Sequence, residues 1–229
     1  MRFSSRHWPA SFVRIVLAVA LLLPAYSHAQ RRARAIDMPR SLRTFGVLEL
    51  DVDSAASITQ KLGPAPTTEV RAGHDRTMRW CYRPNDGKAV VLELFSDVGE
   101  MATDGHELTV IQLTRPTAQT DTTCVVATMW SSNVDTIGKL RLGMRAEEVI
   151  RAQGAPTRRS RDSLVYEFSG RQYMKRESPE YAEWNTPQRR RECFNGGPPF
   201  SWVAATLSVA LKEGRANALR VERYDQATC

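Results

Sequence analysis

One nine-residue pattern occurs twice in this chain. The first copy is TFGVLELDV, residues 44–52, and the second is TIGKLRLGM, residues 136–144. The copies lie 92 positions apart and share the threonine, the glycine and both leucines. Each copy is followed by a helix-like stretch, a glycine and a Pro-Thr pair. A duplicated unit of about 90 residues explains this better than chance, so we predict two tandem repeats, at 41–128 and 133–229.

Hydrophobic periodicity within each predicted repeat indicates one short helix followed by three strands. In the first repeat, Asp53 is the expected N-cap of a helix over 54–62 that Gly63 ends. The second helix starts after Arg145, a residue that cannot cap, and ends at Gly154. The predicted strands are 78–82, 90–95 and 108–113 in the first repeat and 164–168, 206–212 and 219–224 in the second.

The alternation of apolar and polar residues in these strands indicates a sheet with one buried face. Leu207, Val209 and Leu211 alternate with Ser208, Ala210 and Lys212. This pattern favours an antiparallel sheet with helices on one side. The predicted class is therefore α+β, with two tandem repeats that each pack a short helical layer on a small antiparallel β-sheet. Whether the two sheets join into one stays open.

The first 29 residues have the pattern of a secretory signal peptide. Basic residues precede an uninterrupted apolar run from Ile15 to Leu23, and Ser27 and Ala29 form a cleavage pattern. The run is about half of the roughly 20 residues that span a bilayer, although an uncleaved anchor is an alternative. No cysteine lies near the expected cut, so we predict no lipid attachment. We expect a periplasmic or secreted protein cleaved near Ala29, with residues 30–40 as a flexible basic arm.

The charge of the chain gives little reason to expect a nucleic-acid partner. The precursor has 32 basic and 25 acidic residues, and loss of three signal-peptide arginines leaves a net charge of +4. Such a charge is ordinary for a soluble domain. Basic clusters occur at 31–34, at 158–161 and at Arg189, Arg190 and Arg191. They are either solvated loops or contacts to anionic lipid head groups or an acidic partner.

Four cysteines in a chain with an export signal favour disulfides. Three pairings are possible. If the duplication is real, each repeat contains two cysteines, and we therefore predict the pairs Cys81–Cys124 and Cys193–Cys229. No Cys-x-x-Cys motif occurs, which argues against a thioredoxin-like or zinc-ribbon site.

The second repeat contains an insertion over 170–200 that the first lacks at that place. It mixes aromatic residues with arginines, a composition typical of interface anchors. The predicted partner-binding residues are Tyr181, Trp184, Arg189, Arg190 and Arg191. The alternative is that the aromatic rings cover the open face of their own sheet, with Cys193 holding the insertion in place.

No catalytic, metal-binding or cofactor-binding motif stands out. The mature chain has only two histidines, His74 and His106, each without a second ligand at a coordinating spacing. Glu147 and Glu148 are adjacent on a helix and point about 100 degrees apart, so they cannot flank one substrate. Nucleophile-elbow, metalloprotease, phosphate-loop and dinucleotide patterns do not occur in the sequence. We therefore expect a protein that is not an enzyme and needs no cofactor.

The second repeat resembles the SmpA/OmlA (BamE-like) family. The resemblance rests on LGMRAEEVI at 142–150, GAPT at 154–157, YEF at 166–168 and the segment 207–221. The tandem arrangement is similar to the secreted β-lactamase inhibitory proteins. The resemblance implies a helical layer on a small antiparallel sheet and a role in protein binding without chemistry. It assigns no functional residue, because the matching positions are turns, caps and core.

These observations favour an exported, non-catalytic protein-binding module of the bacterial cell envelope, of the outer-membrane assembly or envelope-integrity type. The first alternative is a proteinaceous enzyme inhibitor of the β-lactamase inhibitory type, which uses the same parts. An unrecognised enzyme is the third, since catalytic residues need not be adjacent in sequence.

Overall fold

The computed structural model describes residues 38–72, 75–98, 107–116, 123–130 and 137–226. The predicted signal peptide, most of the basic arm, His74, His106 and Cys229 lie outside the described residues. Across the described ranges, no helix is long and apolar enough to span a bilayer.

Five helices and eleven strands occur within the described ranges. The helices are α1 (Arg40–Arg43), α2 (Ala55–Leu62), α3 (Ala146–Gln153), α4 (Pro179–Trp184) and α5 (Pro187–Phe194). The strands are β1 (Thr44–Phe45), β2 (Leu48–Glu49), β3 (Thr68–Ala72), β4 (Asp75–Arg83), β5 (Val91–Val98), β6 (Leu108–Thr114), β7 (Val125–Val126), β8 (Arg158–Arg159), β9 (Ser163–Tyr173), β10 (Phe200–Lys212) and β11 (Arg215–Gln226). The α+β class is confirmed.

One large sheet, mostly antiparallel, dominates the fold. Its strands run in the order β3-β4-β5-β6-β11-β10-β9-β8, and β7 adds a short parallel pairing to β4. The strands β3 to β6 follow α2, and β8 to β11 follow α3. The two predicted sheets are therefore one sheet, joined where β6 pairs antiparallel with β11, with Ile111 opposite Val221. Pairing the last strand of each series removes two exposed edges, which would otherwise present unpaired backbone groups.

Helices α2 and α3 pack on the same side of this sheet. Ile58 and Leu62 of α2 and Val149 of α3 are buried in one core with the apolar side chains of the strands. Core members from the strands include Trp80, Tyr82, Leu92, Leu94, Ile111, Leu113, Leu164, Leu207, Val209, Leu219 and Val221. Met38, inside the predicted flexible arm, is also buried in this core. The packed chain therefore begins at least three residues before the predicted first repeat.

The N-terminus of α2 is capped differently from the sequence prediction. Ser54 is the N-cap, and its Oγ accepts a hydrogen bond from Ser57 N at 3.4 Å. Asp53 precedes the cap and is buried, and its Oδ2 accepts a hydrogen bond from Glu49 N at 2.7 Å. The prediction of Asp53 as N-cap was wrong because this carboxylate bonds to the neighbouring strand instead.

The segments that precede α2 and α3 have matching backbone turns. The φ angles of Gly46 and Gly138 are +57° and +56°, and those of Asp51 and Gly143 are +58° and +90°. All four angles are positive, a region that glycine adopts without strain. Phe45 pairs with Leu48 in the first segment, and Ile137 with Leu140 in the second. Each of these positions in the second segment lies 92 residues after its counterpart in the first.

A tyrosine of the second strand of each series bonds to the glycine that ends the preceding helix. Tyr82 of β4 donates to Gly63 O at 2.9 Å, and Tyr166 of β9 donates to Gly154 O at 3.3 Å. Both tyrosines are buried. The hydroxyl satisfies a carbonyl at the helix end, where no intrahelical donor is available.

The disulfide between Cys81 and Cys124 is confirmed, with Cα atoms 4.6 Å apart. Together with Val91 these cysteines form a small buried cluster. Cys193 is disulfide-bonded as well, but its predicted partner lies outside the described residues, so the pair Cys193–Cys229 stays a prediction.

The insertion between β9 and β10 contains two short helices. The strands continue further into it than predicted, so it covers 174–199. Ser178 and Thr186 cap α4 and α5 through their hydroxyls, and a proline follows each cap. Asn195 ends α5 in the left-handed conformation. Because serine or threonine followed by proline is a helix-start pattern, the sequence carried a local signal for both helices.

Candidate functional site

The sheet face opposite α2 and α3 carries a row of charged and polar side chains; we call it the polar face. In its centre Glu93 of β5 lies opposite Gln112 of β6, which in turn lies opposite Arg220 of β11. Two residues further along each strand, Phe95 pairs with Val110 and Val110 with Glu222. Because side chains alternate across a strand, these residues all point to the same side.

The side chains of the polar face are connected to each other. Arg79 donates to Glu93 Oε1 from Nε at 2.9 Å and from Nη2 at 2.5 Å. Gln112 Nε2 donates to Glu93 Oε2 at 2.7 Å, and Gln112 Oε1 accepts a hydrogen bond from Arg220 Nη1 at 3.1 Å. Arg220 Nε also donates to Glu222 at 2.9 Å. Both carboxylates are thus charge-paired, and the chain of bonds crosses four strands.

Exposure differs along this network. The side chain of Glu93 is 10% exposed, whereas those of Arg220 and Glu222 are 39% and 33% exposed. The guanidinium of Arg220 also lies 5.5 Å from the centre of the Phe95 ring. Buried charges need partners to offset lost hydration, so Glu93 acts as an anchor, and Arg220 and Glu222 are the members that a ligand could reach.

The polar face continues into an aromatic–arginine cluster. Its members are Arg171, Tyr173, Trp184, Arg189, Phe194, Phe200 and Trp202. Trp202 stands four residues from Thr206, the partner of Glu222, and therefore lies on the same face. Arg171 stacks on Phe200 at 4.6 Å and on Trp202 at 5.1 Å.

Edge-to-face ring contacts connect the insertion to the sheet. Trp184 meets Phe194 with ring centres 6.2 Å apart, Phe194 meets Phe200 at 5.4 Å, and Phe200 meets Trp202 at 5.7 Å. Arg189 lies over the Trp184 ring at 4.3 Å. Such contacts stabilise by roughly 0.5–1.5 kcal/mol each. The cluster is therefore a continuous packed layer from α4 to β10.

The five predicted partner-binding residues occupy different environments. Tyr181 and Trp184 are half-buried, and Arg189 and Arg191 are exposed. Arg190 donates to the carbonyls of Gly196 and Gly197, at 2.6 to 3.2 Å. The structure brings Trp184 and Arg189 together on the cluster, whereas Arg190 is bound within its own loop and closes the end of α5.

Asp53 is the carboxylate whose surroundings change its pKa most clearly among the predicted residues. It pairs with Lys61 Nζ at 2.5 Å and accepts a hydrogen bond from the Ser57 hydroxyl. Burial alone would raise the pKa of Asp53, but hydrogen bonds from Lys61, Ser57 and Glu49 N and the Lys61 charge hold it below its ordinary value. This charge-paired carboxylate links α2 to β2 and is structural.

The other residues considered for chemistry are engaged in structure. Glu148 accepts a hydrogen bond from Arg145 N at 2.6 Å, which satisfies a free amide at the start of α3. Glu147 pairs with Arg159 at 3.0 Å. Asp51 pairs with Arg223, a buried arginine of β11 that also bonds to Gln172. Among the described residues, no group of three His, Cys, Asp or Glu side chains could hold a metal ion.

The partner-binding residues predicted from the sequence did not include those of the polar face. Arg79, Glu93, Gln112, Arg220 and Glu222 all lie in segments predicted as strands, each at the polar position of the alternation. That alternation could have assigned them to one face. The strand order and register, which decide that they touch, are not visible in the sequence.

No protein-family model, curated protein or solved structure matches this chain. The resemblance to the SmpA/OmlA family therefore stays a prediction.

Proposed function

We propose that this protein is an exported, non-catalytic protein-binding module of the bacterial cell envelope, of the SmpA/OmlA kind. The partner is a protein that binds across the polar face and the aromatic–arginine cluster. The observation that carries this proposal is the contact path from Arg189 and Trp184 through Phe194 and Phe200 to Trp202. It connects the insertion, predicted from its composition to bind a partner, to the polar face.

The chemistry of this surface suits a protein partner. Tyr173 is 57% exposed at the edge of the cluster, and its ring contacts that of the buried Phe200. Arg171 and Arg189 hold their guanidinium groups over aromatic rings, which leaves donors at the guanidinium edges available to carboxylates or carbonyls. Tryptophan, tyrosine and arginine are the residues that most often dominate binding energy at interfaces.

The chain, in this proposal, arose by tandem duplication. The shared left-handed turns at Gly46 and Gly138, 92 residues apart, support it, as do the matching bonds of Tyr82 and Tyr166 to helix-ending glycines. The sheet order supports it too, because the strands after α2 and those after α3 run outward from a central pair. Duplication of one small unit produces a wide sheet face, and a wide face offers more surface to a binding partner.

Export is the second element of the proposal. The mature protein would be periplasmic or secreted after cleavage near Ala29 and would carry no lipid. The Cys81–Cys124 disulfide supports an oxidising compartment, because disulfides persist outside the cytosol and are rare within it.

Crosslinking in intact cells tests the binding role. The wild-type chain and the variant Trp184→Ala/Arg189→Ala would be expressed with their native leader and crosslinked, and the captured proteins identified. We expect the wild type to capture outer-membrane or peptidoglycan-associated proteins and the variant to lose them. The thermal midpoint of the purified variant should stay within a few degrees of wild type, because both side chains are at least partly exposed.

A matched variant controls for general surface changes. Met129 is 71% exposed and Lys139 is exposed, and neither belongs to the proposed binding surface. Met129→Ala/Lys139→Ala removes one apolar side chain and one cation, as the test variant does, and should leave capture intact. If the test variant and the control variant both captured the same proteins as the wild type, the aromatic–arginine cluster would not be the binding surface.

A secreted enzyme inhibitor is the second candidate, and the construction of the insertion favours it. Side-chain caps at Ser178 and Thr186 and the bonds of Arg190 to two carbonyls fix its conformation. Loops that are ordered before binding lose less entropy on association, which suits capture of an enzyme. Recovery of one soluble hydrolase in the same crosslinking experiment, instead of envelope proteins, would select this candidate.

A further inference from the structure

Five basic side chains line two cavities near Gly143. The first cavity, of about 620 Å³, is lined by Arg141 and Arg151 together with the loop 142–144. The second, of about 450 Å³, is lined by Arg115, Lys212 and Arg215. These residues come from three separate parts of the sequence and belong to none of its basic clusters.

The two cavities are neighbours. Gly143 lines the first and Ala216 the second, and Gly143 N donates to Ala216 O at 2.7 Å. Arg215 Nη1 donates to Gly143 O at 3.0 Å. Arg115 Nη2 lies 3.4 Å from where a Cβ on Gly143 would stand. Two cations of the second cavity thus reach the wall of the first.

The positive charge around these cavities is largely uncompensated. Two carboxylates, Glu148 and Glu213, also line them. Glu148 accepts a hydrogen bond from the amide of Arg145 and keeps its charge, so the lining holds five basic and two acidic side chains. Among the described residues, none of the five basic side chains forms an ion pair. Elsewhere, Arg158 and Arg159 on β8 each pair with a glutamate. The cavities therefore leave a net charge for a ligand to neutralise.

We propose that the two cavities form one binding site for a ligand with two or more phosphate groups. Four of the five cations are arginines, whose planar guanidinium donates two parallel hydrogen bonds to a phosphate. Each cavity contains at least two cations and one carboxylate, so each keeps a net positive charge that attracts a phosphate. The phosphates can belong to a soluble molecule or to lipid head groups, and this site is independent of the proposed protein-binding surface.

Calorimetric titration with pyrophosphate and sedimentation with vesicles test the site. The vesicles are phosphatidylcholine with or without phosphatidylglycerol. The test variants are Arg115→Gln/Arg215→Gln in the second cavity and Arg141→Gln/Arg151→Gln in the first, so that one remains informative if the other fails to fold. The control, Lys175→Gln/Arg176→Gln, makes the same charge change at exposed positions near the opposite end of β9 and β10.

Saturable binding to pyrophosphate that weakens about tenfold or more in the test variants, but not in the control, supports a soluble phosphate ligand. The same pattern with phosphatidylglycerol vesicles alone supports lipid head groups. The proposal is overturned if neither probe binds. It is also overturned if the control variant weakens binding as much as the test variants, because general charge attraction would then account for it.

Discussion

Lys61 Nζ donates a hydrogen bond to Asp53 Oδ1 at 2.5 Å, from the last turn of α2 back to the residue before its N-cap. The same ammonium donates to Val47 O at 2.9 Å. At the position 92 residues later, Gln153 Nε2 donates to Gly138 O at 2.7 Å. Both helices are therefore attached to the loop before them by a long polar side chain, but only α2 has a buried charge at this point.

The Asp53 pair should make stability depend on acid pH. Because the folded-state pKa of Asp53 is lowered, its contribution is present above the ordinary carboxyl pKa of about 4 and is lost as pH falls through the lower folded-state value. Asp53→Asn should lower the free energy of unfolding by about 2 kcal/mol at neutral pH. Urea unfolding at several pH values should then show a shallower acid loss in the variant.

Glu147→Gln is the control for that experiment. Glu147 also pairs with a cation, but its side chain is 67% exposed, and exposed pairs contribute about 0–1 kcal/mol. Its acid profile should follow wild type. An Asp53→Asn profile parallel to wild type below pH of about 4 would contradict the assignment of this loss to Asp53.

Replacing Gly138 with alanine should destabilise the fold strongly. Its φ is +56°, and an added Cβ would overlap Leu42 Cδ2 of α1, which is buried in the core. The left-handed conformation costs about 1–2 kcal/mol and overpacking a further 1–3 kcal/mol. Gly87→Ala is the matched control, since its φ is +73° but no atom lies within 4 Å. Thermal unfolding should show a clearly larger loss at Gly138, and equal losses would contradict the overlap.

Removing the hydroxyls of Tyr82 and Tyr166 tests the two matching helix-end bonds. Tyr82→Phe and Tyr166→Phe should each lower the free energy of unfolding by about 1 kcal/mol, because a carbonyl at the helix end loses its donor from a buried tyrosine. If one variant alone is destabilised, the two bonds are not equivalent. Urea unfolding at neutral pH measures both.

Tyr82 should also produce an alkaline loss of stability. Burial raises the pKa of Tyr82 to about 12, above the ordinary tyrosine value of about 10. The folded state therefore keeps its proton longer than the unfolded chain, and stability falls as pH rises from about 10 towards 12. Tyr82→Phe should reduce this loss in unfolding experiments over that range, and an unchanged loss would contradict it.

The Cys81–Cys124 bridge should be a major source of stability. It closes a sequence separation of 43 residues, for which the chain-entropy model gives about 4 kcal/mol. Cys81→Ala/Cys124→Ala should lose roughly that amount in urea unfolding. Non-reducing peptide mapping of the wild type should also join Cys193 to Cys229. A link from the first half of the chain to the second would contradict both predicted pairs.

Local patterns in the sequence determined much of the secondary structure. Apolar spacing and a terminal glycine predicted α2 and α3, and alternation predicted the central parts of the long strands. The pairing of Cys81 with Cys124 followed from the assumed repeat. The short strands β3, β7 and β8 and the helices α1, α4 and α5 were missed. Strands of two to five residues, and helices that are very short or polar on most sides, give no clear apolar period.

Only the tertiary structure decided that the sheet is continuous and what its surfaces carry. The pairing of β6 with β11 joins segments about 110 residues apart, and no local preference specifies which strand edges meet. That pairing places Gln112 beside Arg220 and so completes the network of the polar face. In the same way, Arg115 approaches Gly143 only through folding. The type of each side chain follows from the sequence, but which charged side chains lie next to each other depends on strand register and packing.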